Sequence, residues 1–169
     1  GSYLLWMAIL SVIGVVIIQS NDDSEPVIMT VITLAQVFIL LLMISKNPFA
    51  TIWQTFPESF PSRALPPGFD GAGLNPLLHD PWMAVHPPAL FIGYAAATVP
   101  FAYAIAAMLK NDYSLMTGRA ARWTSVTVLT LGVGIILGAY WAYRVLGWGG
   151  YWGWDEVENA SLVPWLISI

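Results

Sequence analysis

Four stretches of this chain, 3–18, 27–44, 87–109 and 123–146, are apolar almost throughout. A bilayer crossing takes about 20 such residues, with 17 at the short limit, and a backbone in lipid must satisfy its own amides, so helices are the form these runs take. A content of 57% hydrophobic and 9% charged residues places the chain with integral membrane proteins rather than soluble domains. A fifth apolar run begins near Val157 and reaches Ile169. At the helical rise it covers only about two-thirds of a bilayer core, so the expectation is a fragment cut partway through a helix. Gly1-Ser2 leads straight into apolar sequence without a basic leader, which fits the same expectation. The predicted fold is an all-α integral membrane protein with four full transmembrane helices, the start of a fifth and a Trp-rich external loop. Residues 1–44 hold the first two helices, 45–86 an external Pro/Gly-rich loop, 87–146 the third and fourth helices, and 147–169 the Trp-rich loop and the fifth helix.

Parity fixes which connections share a side. Segment 45–85 and the Trp-rich loop open on one face, and 19–25 and 110–122 on the other. Lys110, Arg119 and Arg122 oppose Lys46, Arg63 and Arg144 in equal number, but the first three crowd a short loop, which marks it as cytoplasmic and turns the Trp-rich loop outward. The net charge of −4 and the absence of any basic tract exclude nucleic-acid binding. The chain has no cysteine, which excludes disulfides, thiol chemistry, Cys-type zinc sites and a C-x-x-C-H haem attachment motif of its own.

Segment 45–85 contains seven of the twelve prolines together with Gly68, Gly71 and Gly73, and is predicted to be irregular. It closes on Leu74-Asn75-Pro76-Leu77-Leu78-His79-Asp80-Pro81 and then Val85-His86-Pro87-Pro88. Pro87 and Pro88 suit the first turn of a helix, where a missing amide costs nothing, so His86 is placed near the N-cap of the third span at the outer surface. A histidine there is read as an interfacial polar residue or as a metal ligand. His79, Asp80 and His86 have no zinc spacing, and His79 is treated as a loop residue. Gly134-x-x-x-Gly138 and the Ala-rich third span with Pro100 read as close-packing faces.

From Gly147 to Trp165 the chain reads Gly-Trp-Gly-Gly-Tyr-Trp-Gly-Trp-Asp-Glu-Val-Glu-Asn-Ala-Ser-Leu-Val-Pro-Trp. Tryptophans gather at headgroup depth in many membrane proteins, and an aromatic belt is one reading. The other is a platform, because Trp148, Trp152 and Trp154 are interleaved with Gly147, Gly149, Gly150 and Gly153, which lets a backbone fold tightly beneath indole rings. Asp155 and Glu158 have the spacing of a capping box, with Asp155 as the helix cap. Glu158, Asn159 and Ser161 are expected to face the loop or other helices rather than lipid.

The run Trp148-Gly149-Gly150-x-Trp152-x-Trp154-Asp155-x-Val157-Glu158-Asn159-Ala160-Ser161, with Pro164-Trp165-Leu166, resembles the signature of the CcmF/CcsA haem-handling (WWD-domain) family, most closely its CcmF branch. Leu4-Leu5-Trp6, Ser45-x-Asn47-Pro48-Phe49, Leu74 to Leu78, His86-Pro87-Pro88 and Trp141-Ala142-Tyr143 fall in the order that family has. Glu156 departs from it, standing where proline is usual. The resemblance implies a subunit of a cytochrome c haem lyase, an enzyme of the bacterial inner membrane with the WWD loop on the periplasmic side. Such a subunit accepts haem from the chaperone CcmE, works with a CcmH-type thioredoxin partner and joins haem to an apocytochrome c bearing C-x-x-C-H. It implies His86 as an axial ligand of haem b held as substrate. Trp148, Trp152, Trp154 and Asp155 form the platform, with Trp141 and Tyr143 below it. The family's second external histidine and the pair holding a separate transmembrane b-haem match no position here and are expected beyond Ile169. Arg144 is expected to snorkel to headgroups rather than meet a propionate. Two other functions share the composition, a non-catalytic Trp-rich tetrapyrrole receptor or translocator and a haem exporter. The Trp-Asp-x-Val-Glu-Asn run speaks against the receptor. A haem-bearing electron-transfer subunit would need histidines within its helices, and none is expected inside a span.

Overall fold

The computed structural model describes every residue except Asn21, Asp22, Pro61, Arg63, Pro66 and Ala72. Arg63, counted above among the basic residues, lies outside the described set. Helices α1 (Ser2–Ile18), α2 (Glu25–Ser45), α4 (Pro81–Lys110), α5 (Arg119–Val145) and α6 (Glu156–Ser168) carry the fold, with one turn of helix, α3 (Ile52–Thr55), in the long connection. Short 3-10 turns at Pro76–Leu78 and Tyr113–Met116 precede α4 and α5. The protein is all-helical and membrane-embedded. Among the described residues three helices, α2, α4 and the segment ending in α5, are long and apolar enough to cross a bilayer. The predicted first span is a 17-residue helix, at the lower limit for a crossing.

Helix α4 is the centre of the bundle and packs against α1, α2 and α5. Its buried face is made largely of alanines, including Ala95, Ala96, Ala102, Ala106 and Ala107. Small residues bring helix backbones close, which supplies the packing that hydrophobicity cannot drive within lipid. Leu10, Ile13 and Ile17 of α1 and Ile28, Ile32 and Ile39 of α2 join Ala95, Val99, Ala102 and Tyr103 of α4 in one core cluster. The hydroxyls of Thr124, Ser125, Thr127 and Thr130 donate to carbonyls four residues back in α5, so none is left bare in lipid.

At one end of the bundle the Lys110 ammonium donates to the Asp23 carbonyl at 2.5 Å and to the Ser24 hydroxyl at 3.3 Å. This joins the α1–α2 and α4–α5 connections, as parity requires. The other end holds the long connection and the Trp-rich loop, tied where the Trp141 indole donates to the Leu77 carbonyl at 3.2 Å.

The start of α4 differs from the expected one. The helix begins at Pro81, capped by Asp80, whose carboxylate accepts the Trp82 amide at 2.9 Å. Asp-Pro supplies both an N-cap side chain and a first-turn proline, a stronger start signal than His86-Pro87-Pro88. Residues 81–86 are therefore helix rather than loop. Pro87 and Pro88 lie within it, removing the amide donors that would otherwise serve the carbonyls of Met83 and Ala84.

Candidate functional site

Beyond α5 the backbone must turn back sharply to begin α6, and it does so with positive φ at Gly149 (71°) and Trp154 (58°). The first suits glycine, whereas the second is an uncommon conformation for an aromatic residue. The glycines also serve as a floor: a Cβ at Gly150 would strike the Trp148 ring, and one at Gly153 would rest 3.5 Å from it. Tyr143 of α5 stacks on Tyr151 of the loop with ring centroids 4.3 Å apart and planes 6° from parallel. Trp152 and Trp154 meet edge to face at 6.0 Å.

The start of α6 locks this loop. Asp155 accepts the Glu158 amide at 2.7 Å, the forward half of the expected capping box. The return half is shifted, because Glu158 Oε2 accepts the amide of Gly153 at 2.7 Å rather than that of Asp155. Asn159 Nδ2 donates to the Trp154 carbonyl at 3.2 Å, holding the residue with the unusual φ. The Ser161 hydroxyl is buried and donates to the Glu158 carbonyl.

His86 lies in the second turn of α4, inside the helix and about 7 Å along the axis from its start at the usual rise. This corrects the N-cap placement. Its Nδ1 is 2.7 Å from the Gly134 carbonyl of α5. A carbonyl can only accept, so Nδ1 is the donor in this contact, and in the neutral ring that tautomer leaves the lone pair on Nε2. The ring rests where Gly138 has no side chain.

His86, Trp141, Trp148, Trp152, Asp155, Glu158 and Ser161 line one cavity of about 430 Å3, with Leu90, Ala142 and Leu146 among its apolar walls. This volume is in the range of small-molecule and cofactor sites, about 300–1,000 Å3. Trp152 contributes a further signal: its Nε1 is out of solvent and has no hydrogen-bond acceptor among the described residues. A buried donor without a partner costs about 1–3 kcal/mol unless something else accepts from it. An imidazole nitrogen with a free lone pair, indole faces and an unpaired N–H suit a flat metal-bearing macrocycle with polar edge groups, which is the chemistry of haem.

The structure thus gathers five of the seven residues singled out from the sequence. Tyr143 and Trp154 stand outside the cavity lining, Tyr143 stacked on Tyr151 and Trp154 70% exposed beside Trp152. Arg144 lies 3.7 Å from Asp80 and against the Tyr140 ring, away from the lining. His79 places Nε2 3.1 Å from the Leu74 carbonyl. Sequence reasoning passed over Gly134, Gly138 and Glu158 as site residues. The first two were visible only as a Gly-x-x-x-Gly packing face, whose occupant could not be read from α5 alone.

A family profile described as "Cytochrome C assembly protein" matches residues 1–169. The cytochrome c-type biogenesis protein CcmF of Pseudomonas aeruginosa is 42% identical over 99% of this chain and 25% of its own length. CycK of Bradyrhizobium diazoefficiens, also a cytochrome c-type biogenesis protein, is 40% identical over 99% of the chain and 24% of its own length. The probable cytochrome c-type biogenesis protein NrfE of Escherichia coli is 37% identical over 99% of the chain and 29% of its length. A solved structure titled cytochrome c heme lyase CcmF superposes with a TM-score of 0.75 at 32% identity, covering 99% of this chain and 25% of that one. The chain spans about a quarter of the length of these relatives.

Proposed function

This chain belongs to the cytochrome c assembly protein family, and from that premise we propose that it forms the outward-facing haem-holding part of a cytochrome c haem lyase. Haem enters as substrate, delivered by a periplasmic chaperone of the CcmE kind. It is joined through its vinyl groups to the cysteine thiols of an apocytochrome c kept reduced by a CcmH-type partner. The observation that supports this most is the meeting of His86, which turns Nδ1 to the Gly134 carbonyl, and the indoles of Trp141, Trp148 and Trp152 in one cavity.

In this reading His86 ligates the iron, the indoles hold the macrocycle, and the Trp152 N–H donates to an edge carboxylate. Asp155 and Glu158 set the loop: their backbone hydrogen bonds orient Gly153 and the first turn of α6. Ordering both reactants at one water-poor surface makes thiol addition effectively local, which is the chain's part in a reaction whose chemistry haem supplies. The bacterial inner membrane, with this cavity on the periplasmic side, is the location that goes with it.

The test is an oxidised-minus-reduced absorption spectrum of the full-length protein and its His86→Ala variant, co-expressed with the chaperone. Loss of the Soret and α-band change in the variant, with membrane insertion intact, is the expected result. Normal haem occupancy in His86→Ala sinks the ligand assignment, and haem-free wild type would favour a tetrapyrrole receptor or an exporter that releases its cargo.

A further inference from the structure

The α4–α5 seam runs in a single antiparallel register, in which residue 86 meets 138, 90 meets 134 and 93 meets 131. Two of these contacts are made by leucine. Leu131 fills the space that Gly93 leaves, with Cγ 2.5 Å from where a Cβ would stand, and Leu90 fills that of Gly134 at 2.6 Å. At the third contact an imidazole takes the leucine's place: a Cβ on Gly138 would stand 2.7 Å from His86 Nδ1 and 3.1 Å from Nε2. Packing alone does not call for a polar ring at that point, since leucine does the same work two steps along.

Residues 134 and 138 are one helical turn apart, and side chains tilt toward the helix N-terminus. A side chain at 138 would therefore lie beside the 134 carbonyl and screen it from α4. With glycine there, the carbonyl remains open to a second donor from outside the helix, and His86 Nδ1 reaches it at 2.7 Å.

Resting on the reading of His86 as axial ligand, we infer that Gly134 and Gly138 are positioning residues for haem: the Gly134 carbonyl fixes the proton on Nδ1, and the bare Gly138 lets the ring approach. Nε2 is thereby held as a lone pair, and the hydrogen bond behind it strengthens the ring as a donor. Gly-x-x-x-Gly in this chain is half helix packing and half the seat of an imidazole.

The first measurement needs no haem. Nitrogen-15 spectra of histidine-labelled full-length protein, with His86 signals found by difference from His86→Gln, report the tautomer directly. The Nδ1–H form is expected in the wild type, and finding the Nε2–H form overturns the inference even if every glycine variant fails to fold. Next, Gly138→Ala is compared with Gly93→Ala, which strains the same helix pair against Leu131 but leaves the imidazole untouched. Gly138→Ala is expected to lose the Nδ1–H signature, to retain titrated hemin about 10–100-fold less tightly and to raise the haem reduction potential. Gly93→Ala is expected to keep the tautomer and the potential. Equal changes in both reduce the seam to packing and overturn the inference. Loss of haem in His86→Ala with wild-type affinity and potential in Gly138→Ala overturns the positioning role alone, whereas normal haem in His86→Ala overturns the ligand reading beneath it.

Discussion

Replacing Trp152 with phenylalanine removes the only hydrogen-bond donor of that side chain and keeps an aromatic face. Without ligand the lost N–H is one that sits out of solvent with no acceptor among the described residues, so its removal relieves about 1–3 kcal/mol. The smaller ring forfeits packing of a few carbon atoms, about 1–2 kcal/mol at a half-buried position. These terms oppose each other, and the stability of Trp152→Phe is expected within about 1 kcal/mol of wild type. Haem retention responds differently, because a hydrogen bond to a carboxylate contributes about 1.5–3 kcal/mol, equivalent to roughly 10- to 150-fold in affinity. Hemin titration followed by absorption reads the second quantity, and thermal unfolding of the detergent-solubilised protein reads the first. Unchanged retention together with a large loss of stability would refute the reasoning, since Trp152 would then be a packing residue. Equal effects of Trp152→Phe and Trp154→Leu would refute it in another way, by making the Trp154 ring face, which meets Trp152 edge to face, the acceptor of that N–H.

The other expected outcomes concern the loop. Trp154→Ala should weaken haem retention more than Trp53→Ala, a tryptophan in the α3 turn, and equal effects would return the cluster to an interfacial belt. Trp154→Gly should split the two readouts: relief of the left-handed backbone raises stability by about 1 kcal/mol while haem is held less well, and a fall in both would show that the exposed indole stabilises the loop. Asp155→Ala should cost about 0.5–2 kcal/mol through the lost cap, with Asp155→Ser recovering most of it, and hemin affinity should follow the same order. Affinity lost equally in Asp155→Ser would give the carboxylate itself a role toward haem.

Much of this architecture was legible because lipid leaves a chain few choices. The apolar runs announced helices, and parity joined the Trp-rich loop to the long connection before any contact was known. The Asp155 cap was readable from spacing, as was the need for tight backbone beneath the indoles. What the sequence misplaced was the first turn of α4. Pro87 and Pro88 look like a helix start in isolation, and only the cap at Asp80 shows that the helix has already begun. The seat of His86 was illegible for a deeper reason. Gly134 and Gly138 lie 48 and 52 positions away, and a small-residue face states that something approaches without stating what. The Glu158 bond to Gly153 escaped in a similar way, because the capping-box rule sends that side chain to a different amide.

The placement of His86 on a helix rather than a loop divides the work of the cavity. The imidazole is fixed by the seam between α4 and α5, where Gly93, Gly134 and Gly138 let side chains of the facing helix approach closely, so its position carries the rigidity of α4 and α5. The indoles of Trp148 and Trp152 stand on a glycine-rich turn held by three side-chain hydrogen bonds from Asp155, Glu158 and Asn159. Sites built on helices hold geometry more tightly than sites on loops, and segments with few buried contacts open more readily. In the role proposed above, taking haem from one partner and passing it to another, both have a use: a fixed point that sets where the iron would rest, and a looser platform that can yield when the macrocycle leaves. Stiffening the loop should therefore slow haem release more than it changes where the iron sits, and loosening the seam should do the reverse.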